Sequence, residues 1–274
     1  MERDYLLRRL DETFAGIGFD LHASSDMWPL DLPGVRARCT PLQSPLLNLV
    51  GLAHLTSEEA DARIASVVDA YDQAGRLMGW VVGPTSTPSD LADRLGRHGL
   101  YREDSQAMWG MVLEDITRPI AAPPTVRVER STWAAAAAQV DMMAQSFGFG
   151  MTPEAMAAVN RFYTSFGAAG EVYFAYIEGR ADPVGWSEVL FHPDGQVMLL
   201  GGSATLEEYR HRGIYRAMVA ARLRAGAARG CSAALIQAVK TTSAPVCEQL
   251  GFRPVCELTV YVYVPTALRS CGSS

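Results

Sequence analysis

Beyond residue 125 the spacing of apolar residues switches repeatedly between a helical and a two-residue period. An Ala-rich stretch over 132–147 predicts a helix. Thr152 is placed to cap a second one, which starts at Pro153 and runs toward Tyr163. Threonine oxygens take first-turn N–H groups, and proline fits the first helical position. Residues 171–177 and 185–191 read as strands, joined by the turn His192-Pro193-Asp194-Gly195 to a third over 196–200. A helix is expected over 213–229, stopped by Gly230, then a strand over 233–239. A short helix over 244–250 ends at Gly251 and leads into a long strand over 253–264. In that strand Val260, Val262 and Val264 alternate with Tyr261 and Tyr263.

The first half carries a fainter version of the same order. An amphipathic helix over 57–73 ends near Gly75, a strand follows over 79–82, a helix over 90–97, and a strand over 107–113. Thr85-Ser86-Thr87-Pro88 followed by Gly99-Leu100 parallels Thr242-Ser243-Ala244-Pro245 followed by Gly251-Phe252. Both continue into an apolar strand, which marks a degenerate internal repeat. Between the halves, Thr117-Arg118-Pro119-Ile120-Ala121-Ala122-Pro123-Pro124 disfavours both helix and central strand. The expected organisation is therefore two domains, 1–118 and 125–266. A length of 274 residues accommodates both.

Composition narrows the class. Apolar residues make up 49% and charged residues 20%, which supports packed cores rather than disorder. No apolar run is long enough to span a bilayer, and the charged start Met1-Glu2-Arg3-Asp4 leads into no signal core, so no membrane partner is expected. Five cysteines without a CxxC spacing argue against a zinc site or a disulfide framework and fit a reducing cytoplasm. No metal is expected. A net charge of −6 without a basic cluster makes nucleic acid a poor partner.

The segment that carries chemistry is 206–218. Here Arg210-His211-Arg212-Gly213-Ile214-Tyr215-Arg216 lies between a strand and a helix. First-turn N–H groups have no partner within a helix, and the helix dipole favours an anion there. Gly213 permits close approach of a ligand, and Arg210, Arg212 and Arg216 add positive charge. An isolated Arg-x-x-Gly is more often a solvated surface turn.

The segment resembles the phosphate-binding motif of the GNAT acyltransferase superfamily, Arg/Gln-x-x-Gly-x-Gly/Ala, with matches at Arg210 and Gly213 and Tyr215 at the last position. Leu250-Gly251-Phe252 resembles the second motif of that family, in the right order. The resemblance covers roughly 125–266. It implies an α/β (α+β) architecture of two GNAT-like domains, each a mixed, mostly antiparallel sheet flanked by helices. It implies acetyl-CoA as co-substrate and a small-molecule amine as acceptor, with direct acyl transfer.

It further implies a strand that splays from its neighbour over 197–204, with Gly201-Gly202 allowing a bulge and Ser203, Ala204 and Thr205 near the pantetheine. The strand over 235–239 would form the other wall of the gap. Pyrophosphate is then expected on the N–H groups of Arg212, Gly213, Ile214, Tyr215 and Arg216, beside Arg210 and His211.

Two positions depart from the family pattern. Where the family commonly has a Tyr acid this chain has Cys247, and where it has an Asn this chain has Lys240. Cys247 reads either as a proton donor or as a small buried residue, with Ser243 or water as alternative donors. Glu188, in an otherwise apolar strand, is the first candidate base, because a buried carboxylate needs a partner. His192 and Glu171 read more simply as a turn residue and a solvated carboxylate. Met142, Met143, Phe147, Phe149 and Met151 are expected near the acceptor, with Gly148-Phe149-Gly150 as a lid, and 20–33 as a loop toward a shared cleft.

The first half lacks the phosphate turn. Its counterpart over 53–61 is acidic, so a domain that does not bind CoA is expected there. Monomer and homodimer both remain open, with the long final strand expected to pair with the first half. The competing readings are a non-catalytic CoA-binding module and a GNAT-fold enzyme with another donor or reaction.

Overall fold

The computed structural model of the chain describes residues 1–19, 26–147 and 151–269. In order these form α1 (Arg3–Thr13), β1 (Trp28–Leu30), β2 (Arg36–Cys39), β3 (Leu49–Gly51), α2 (Ala60–Ala74), β4 (Met78–Val82), α3 (Leu91–Arg97), β5 (Tyr101–Arg102) and β6 (Met108–Leu113). Then come β7 (Val126–Ser131), α4 (Trp133–Ala137), α5 (Val140–Phe147), α6 (Pro153–Thr164), β8 (Gly170–Ile177), β9 (Gly185–Phe191) and β10 (Val197–Thr205). The chain continues through α7 (Ile214–Ala228), β11 (Ala233–Val239), α8 (Ser243–Gln249) and β12 (Arg253–Tyr263).

Two compact units emerge. The first holds 1–110, 237–245 and 254–274, and the second 111–236 and 246–253. They are not the sequential halves that the proline-rich segment suggests. The final strand explains the difference. Residues Thr259–Tyr263 of β12 pair antiparallel with β4, from Thr259↔Val82 to Tyr263↔Met78, so the end of the chain completes the first unit's sheet.

In the first unit the strands run β1-β2-β3-β4-β12, with β5 also on β12. All pair antiparallel except β3 and β4, which are parallel through Leu49↔Gly79 and Val50↔Trp80. Ile64, Val67 and Tyr71 recur at helical spacing on α2 and pack over Met78 and Trp80 together with Leu91 and Leu95. α1 has no counterpart in the sequence reading. Its Leu6 and Leu10, four residues apart, are buried while Arg3 and Arg8 are exposed.

In the second unit the order is β7-β8-β9-β10-β11, antiparallel except for the parallel pair β10/β11. Both units therefore place a strand–helix–strand crossover after an antiparallel meander. Helices α4 to α6 pack on one face, where Met143, Met156, Phe174 and Trp186 meet, and α7 on the other through Ile214 and Met218. The helix expected over 132–147 is broken. Ala138 and Gln139 donate to carbonyls three residues back, at 3.1 and 2.9 Å, which tightens the chain between α4 and α5. The break lets α5 turn its Met143 carbonyl and Ser146 hydroxyl onto the Trp186 indole, at 3.2 and 2.9 Å.

The start of α6 follows its capping signal. Thr152 Oγ1 accepts from the Ala155 N–H at 3.2 Å. Thr152→Ala is expected to lower stability by about 1 kcal/mol, seen as a lower denaturant midpoint at unchanged slope.

Candidate active site

The second unit's sheet is incomplete on one edge. Pairing between β10 and β11 runs only from Val197↔Ala233 to Leu199↔Leu235. β10 itself continues to Thr205, and Gly201 to Thr205 are half-buried. On the other side these residues stay paired, with Ser203 opposite Ser187, Ala204 opposite Trp186 and Thr205 opposite Gly185. The β11-side peptide groups past Leu199 are thus left for another partner, since backbone N–H and C=O groups inside a fold need one.

That edge leads straight into the turn before α7. Arg210 Nε donates to the Thr205 carbonyl at 3.3 Å and Arg212 Nη2 to the Glu208 carbonyl at 3.2 Å. His211 and Gly213 both take left-handed backbone, with φ of 62° and 75°. The bond from Ala217 N to the Gly213 carbonyl, 3.0 Å, opens the helix. The N–H groups of Ile214, Tyr215 and Arg216 are therefore its free first-turn donors. Gly213 is required twice over, because a Cβ there would also stand 2.6 Å from the Pro123 ring. Ile214 is buried and anchors the turn, whereas Arg210, His211 and Arg212 are exposed. The predicted residues from Ser203 to Arg216 follow one another from the end of β10 through the turn into α7, with Leu206 and Ile214 buried.

The side chain of Tyr215 behaves differently from its backbone. It turns inward, and its hydroxyl lies 3.5 Å from Cys247 Sγ. Burial, then the neighbouring thiol, raises the phenol above its ordinary range. Burial likewise raises the Cys247 thiol, against the opposing effects of Tyr215 and Arg222, so both groups hold their protons at neutral pH. Ser243 opens α8, the helix that carries Cys247.

Glu188 sits on β9 where β10 slips its register by one residue, between Leu200↔Val189 and Ser203↔Ser187. Gly201 and Gly202 together oppose it, which is a β-bulge. A Cβ on Gly202 would lie 2.9 Å from the Trp186 ring and 3.1 Å from Glu188 Oε2, and one on Gly201 would lie 3.2 Å from the Tyr163 hydroxyl. Glu188 is 1% exposed. Burial pushes its carboxyl up to about 8, against the Arg222 charge and the Gly202 N–H, which lower it. Glu188 Oε1 has no hydrogen-bond partner among the described residues.

The other carboxylate candidate is excluded by its partners. Glu171 Oε1 is ion-paired with Arg130 at 3.0 Å and Arg229 at 2.6 Å, and Tyr173 donates to Oε2. Burial works to raise its carboxyl, but these bonds outweigh it and hold the group below its ordinary range. It is not the solvated carboxylate expected, since it is 7% exposed. His192 stays in its turn, with Nδ1 3.0 Å from Asp194 Oδ1.

Met143 is part of the core around Trp186, with Met142, Phe147 and Met151 packed against it. Phe149 and the Gly148-Phe149-Gly150 lid lie outside the described residues, as does 20–25 of the loop over 20–33. Sequence reasoning missed Arg222. Its signal was its spacing, because Ile214, Met218 and Arg222 recur every four residues and share the buried face of α7.

The first unit has the corresponding parallel pair, but its edge is filled. Past Val50, the Thr87 N–H donates to the Ala53 carbonyl at 2.8 Å, and the Thr87 hydroxyl to the Leu55 carbonyl at 3.0 Å. The start of α2 is also closed to anions. Thr56 Oγ1 and Glu59 Oε1 take each other's backbone N–H groups at 3.3 and 3.2 Å, beside Glu58 and Asp61.

Residues 139–252 match the model of the acetyltransferase (GNAT) family. Over that span the chain is similar to GNAT-type acetyltransferases. A GCN5-related N-acetyltransferase from Kribbella flavida superposes with a TM-score of 0.69 at 14% identity, over 97% of this chain and 98% of that one. A functionally unknown conserved protein from Staphylococcus epidermidis gives 0.61 at 14%, over 90% and 94%. A tandem GNAT protein from the clavulanic acid biosynthesis pathway gives 0.58 at 14%, over 84% and 78%. No curated protein matches in sequence. At these identities the structural likeness speaks to the fold alone, and it reaches over both units. Among the described residues no cluster suited to a metal ion occurs, and no helix is long and apolar enough to cross a membrane.

Two outcomes follow from the bulge. Gly202→Ala must move Trp186 or Glu188 and is expected to cost roughly 1–3 kcal/mol, whereas Gly96→Ala, with open space around it, is neutral or mildly stabilising. Because the folded-state carboxyl of Glu188 is raised, its contribution to stability is complete below its ordinary value of 4.5 and is lost as pH rises through about 8. Glu188→Gln is expected to flatten that decline in unfolding free energy, measured by denaturation across the window.

Proposed function

We propose that the protein is an acyl-CoA-dependent N-acyltransferase that moves an acetyl group from acetyl-CoA to the amine of a small molecule. The observation that carries the reading is the unpaired edge of β10 running into the free first turn of α7, with the Gly201–Gly202 bulge set opposite a buried Glu188. The residues fit a CoA thioester. The peptide groups of 200–205 suit the amides of a pantetheine arm. The N–H groups of Arg212 to Arg216, with Arg210 nearby, suit a pyrophosphate. Bound there, acetyl-CoA supplies the activated acyl carbon.

The remaining work falls to the chain. Glu188, ionised, takes the proton from the attacking amine as the new C–N bond forms. A backbone N–H of the bulged strand holds the oxygen that gains charge. As the C–S bond breaks, the Tyr215–Cys247 pair returns a proton to the sulfur, Cys247 being the donor expected from its position and Tyr215 its partner. Products are the amide and free CoA, with no covalent enzyme intermediate. The apolar surroundings of Trp186, Met143 and Tyr163 favour an acceptor amine on an apolar or aromatic body. The first unit is read as a half that no longer binds CoA, its edge occupied by its own Thr87.

The near-complete burial of Glu188 favours one second reading, a CoA-binding module without turnover. Calorimetric titration with acetyl-CoA, followed by an amine screen for CoA release, separates the two. One saturable site per chain is expected, lost in Gly213→Asp and weakened about tenfold or more in Arg210→Ala. Two sites would overturn the reading of the first unit. Binding unchanged in both variants would overturn the phosphate turn, and binding without release for any amine would favour the module. With a productive amine, kcat/KM is expected to rise with pH to a midpoint near 8, as Glu188 loses its proton, and to lose that limb in Glu188→Gln.

A further inference from the structure

Arg222 is fully buried in α7, at 0% exposure. Its Nε donates to the Met218 carbonyl one turn back at 3.3 Å, and Nη1 crosses to the Glu188 carbonyl on β9 at 2.8 Å. Nη2 has no partner among the described residues. A guanidinium keeps its proton, so a full positive charge lies inside the second unit, which is costly unless negative charge comes to meet it. The titratable groups around it are Tyr215 on its own helix, Cys247 on α8, Glu188 on β9 and Tyr173 on β8. Tyr173 donates to Glu171, whose charge is already matched by Arg130 and Arg229. Tyr215 and Cys247 are held neutral by burial. Glu188 is thus the carboxyl in this set without a matching ion pair, and its Oε1 is unpartnered.

Arg222 also meets a structural need created by the bulge. The register slip between Leu200 and Ser203 interrupts the β9–β10 ladder opposite Glu188. A ladder broken there leaves a carbonyl in want of a donor, and Nη1 provides one.

We propose that Arg222 is a positioning residue for acyl transfer, which holds the β9 backbone at Glu188 opposite the glycine bulge and supplies the counter-charge for the Glu188 carboxylate. The proposal rests on the reading of Glu188 as the base. Arg222 touches neither acyl donor nor amine in this role and acts through Glu188. Its second effect is on the Tyr215–Cys247 pair, whose approach to ionisation its charge eases on the opposite side of the reaction.

The test uses the full chain and three variants. Arg222→Lys keeps the charge, Arg222→Gln keeps a donor for the Glu188 carbonyl without the charge, and Arg222→Met removes both. The readout is the Glu188 carboxyl titrated by carbon NMR, assigned by its absence in Glu188→Gln, alongside the pH profile of kcat/KM. Loss of the charge is expected to raise the Glu188 midpoint by roughly one unit or more in Arg222→Gln, and so to lower kcat/KM at neutral pH about tenfold. Arg222→Lys restores the wild-type midpoint. If Arg222→Met does not fold, the Gln and Lys pair carries the comparison. A Glu188 midpoint unmoved in Arg222→Gln overturns the proposal, whatever happens to stability. A rate that keeps its pH limb in Glu188→Gln instead overturns the reading of Glu188 as the base, and the NMR titration tells the two failures apart.

Discussion

Everything proposed for this chain depends on a parallel strand pair that parts early. β10 and β11 share three register positions, Val197↔Ala233 to Leu199↔Leu235, and then β10 runs on to Thr205 without its neighbour. A sheet normally satisfies its peptide groups by continuing its ladder. Here the ladder ends within the molecule, and the exposed edge is handed directly to a helix start with free N–H groups. A ligand that brings its own amides and a pyrophosphate fits both needs at once. The proposed binding surface is therefore built mainly from backbone.

The charge distribution follows from the same geometry. The bulge at Gly201–Gly202 removes two side chains from the face beside Glu188, and the lack of any Cβ there leaves space for the carboxyl under Trp186. Burial then dominates, so Glu188 titrates far above an ordinary carboxylate. Glu171, on the neighbouring strand, shows the contrast. It too is buried, yet two arginines and a tyrosine hold it ionised and occupied. Two glutamates on neighbouring strands are set on opposite sides of neutrality by the deeper burial of Glu188 and by the cationic partners of Glu171.

The first unit repeats the crossover and closes it. β3 and β4 are parallel like β10 and β11, but Thr87 occupies the edge of the strand past Val50, and a reciprocal cap takes the N–H groups of Thr56 and Glu59 before α2. The same architecture thus serves once with its edge open and once with its edge filled.

Much of this was legible in the sequence. β9 and β11 fall where the short apolar runs put them, α6 starts at its Thr152-Pro153 signal, and Arg210 and Gly213 mark the turn before α7, because these features depend on neighbours a few residues away. The resemblance implied a bulge that Gly201 and Gly202 would allow, and a lone Glu188 among apolar residues pointed to a carboxyl in need of a partner. What local pattern does not encode is which distant groups meet. The helix expected to be continuous over 132–147 breaks at Ala138–Gln139, and its second part meets Trp186, forty or so residues away in the chain. The partners of Glu171, the inward turn of Tyr215 and the reach of Arg222 to Glu188 are all contacts across long separations. Periodicity and capping determined the elements, whereas desolvation and pairing between remote residues, which exist only once the chain is packed, decided which side chains hold a proton and which strand edge stays open.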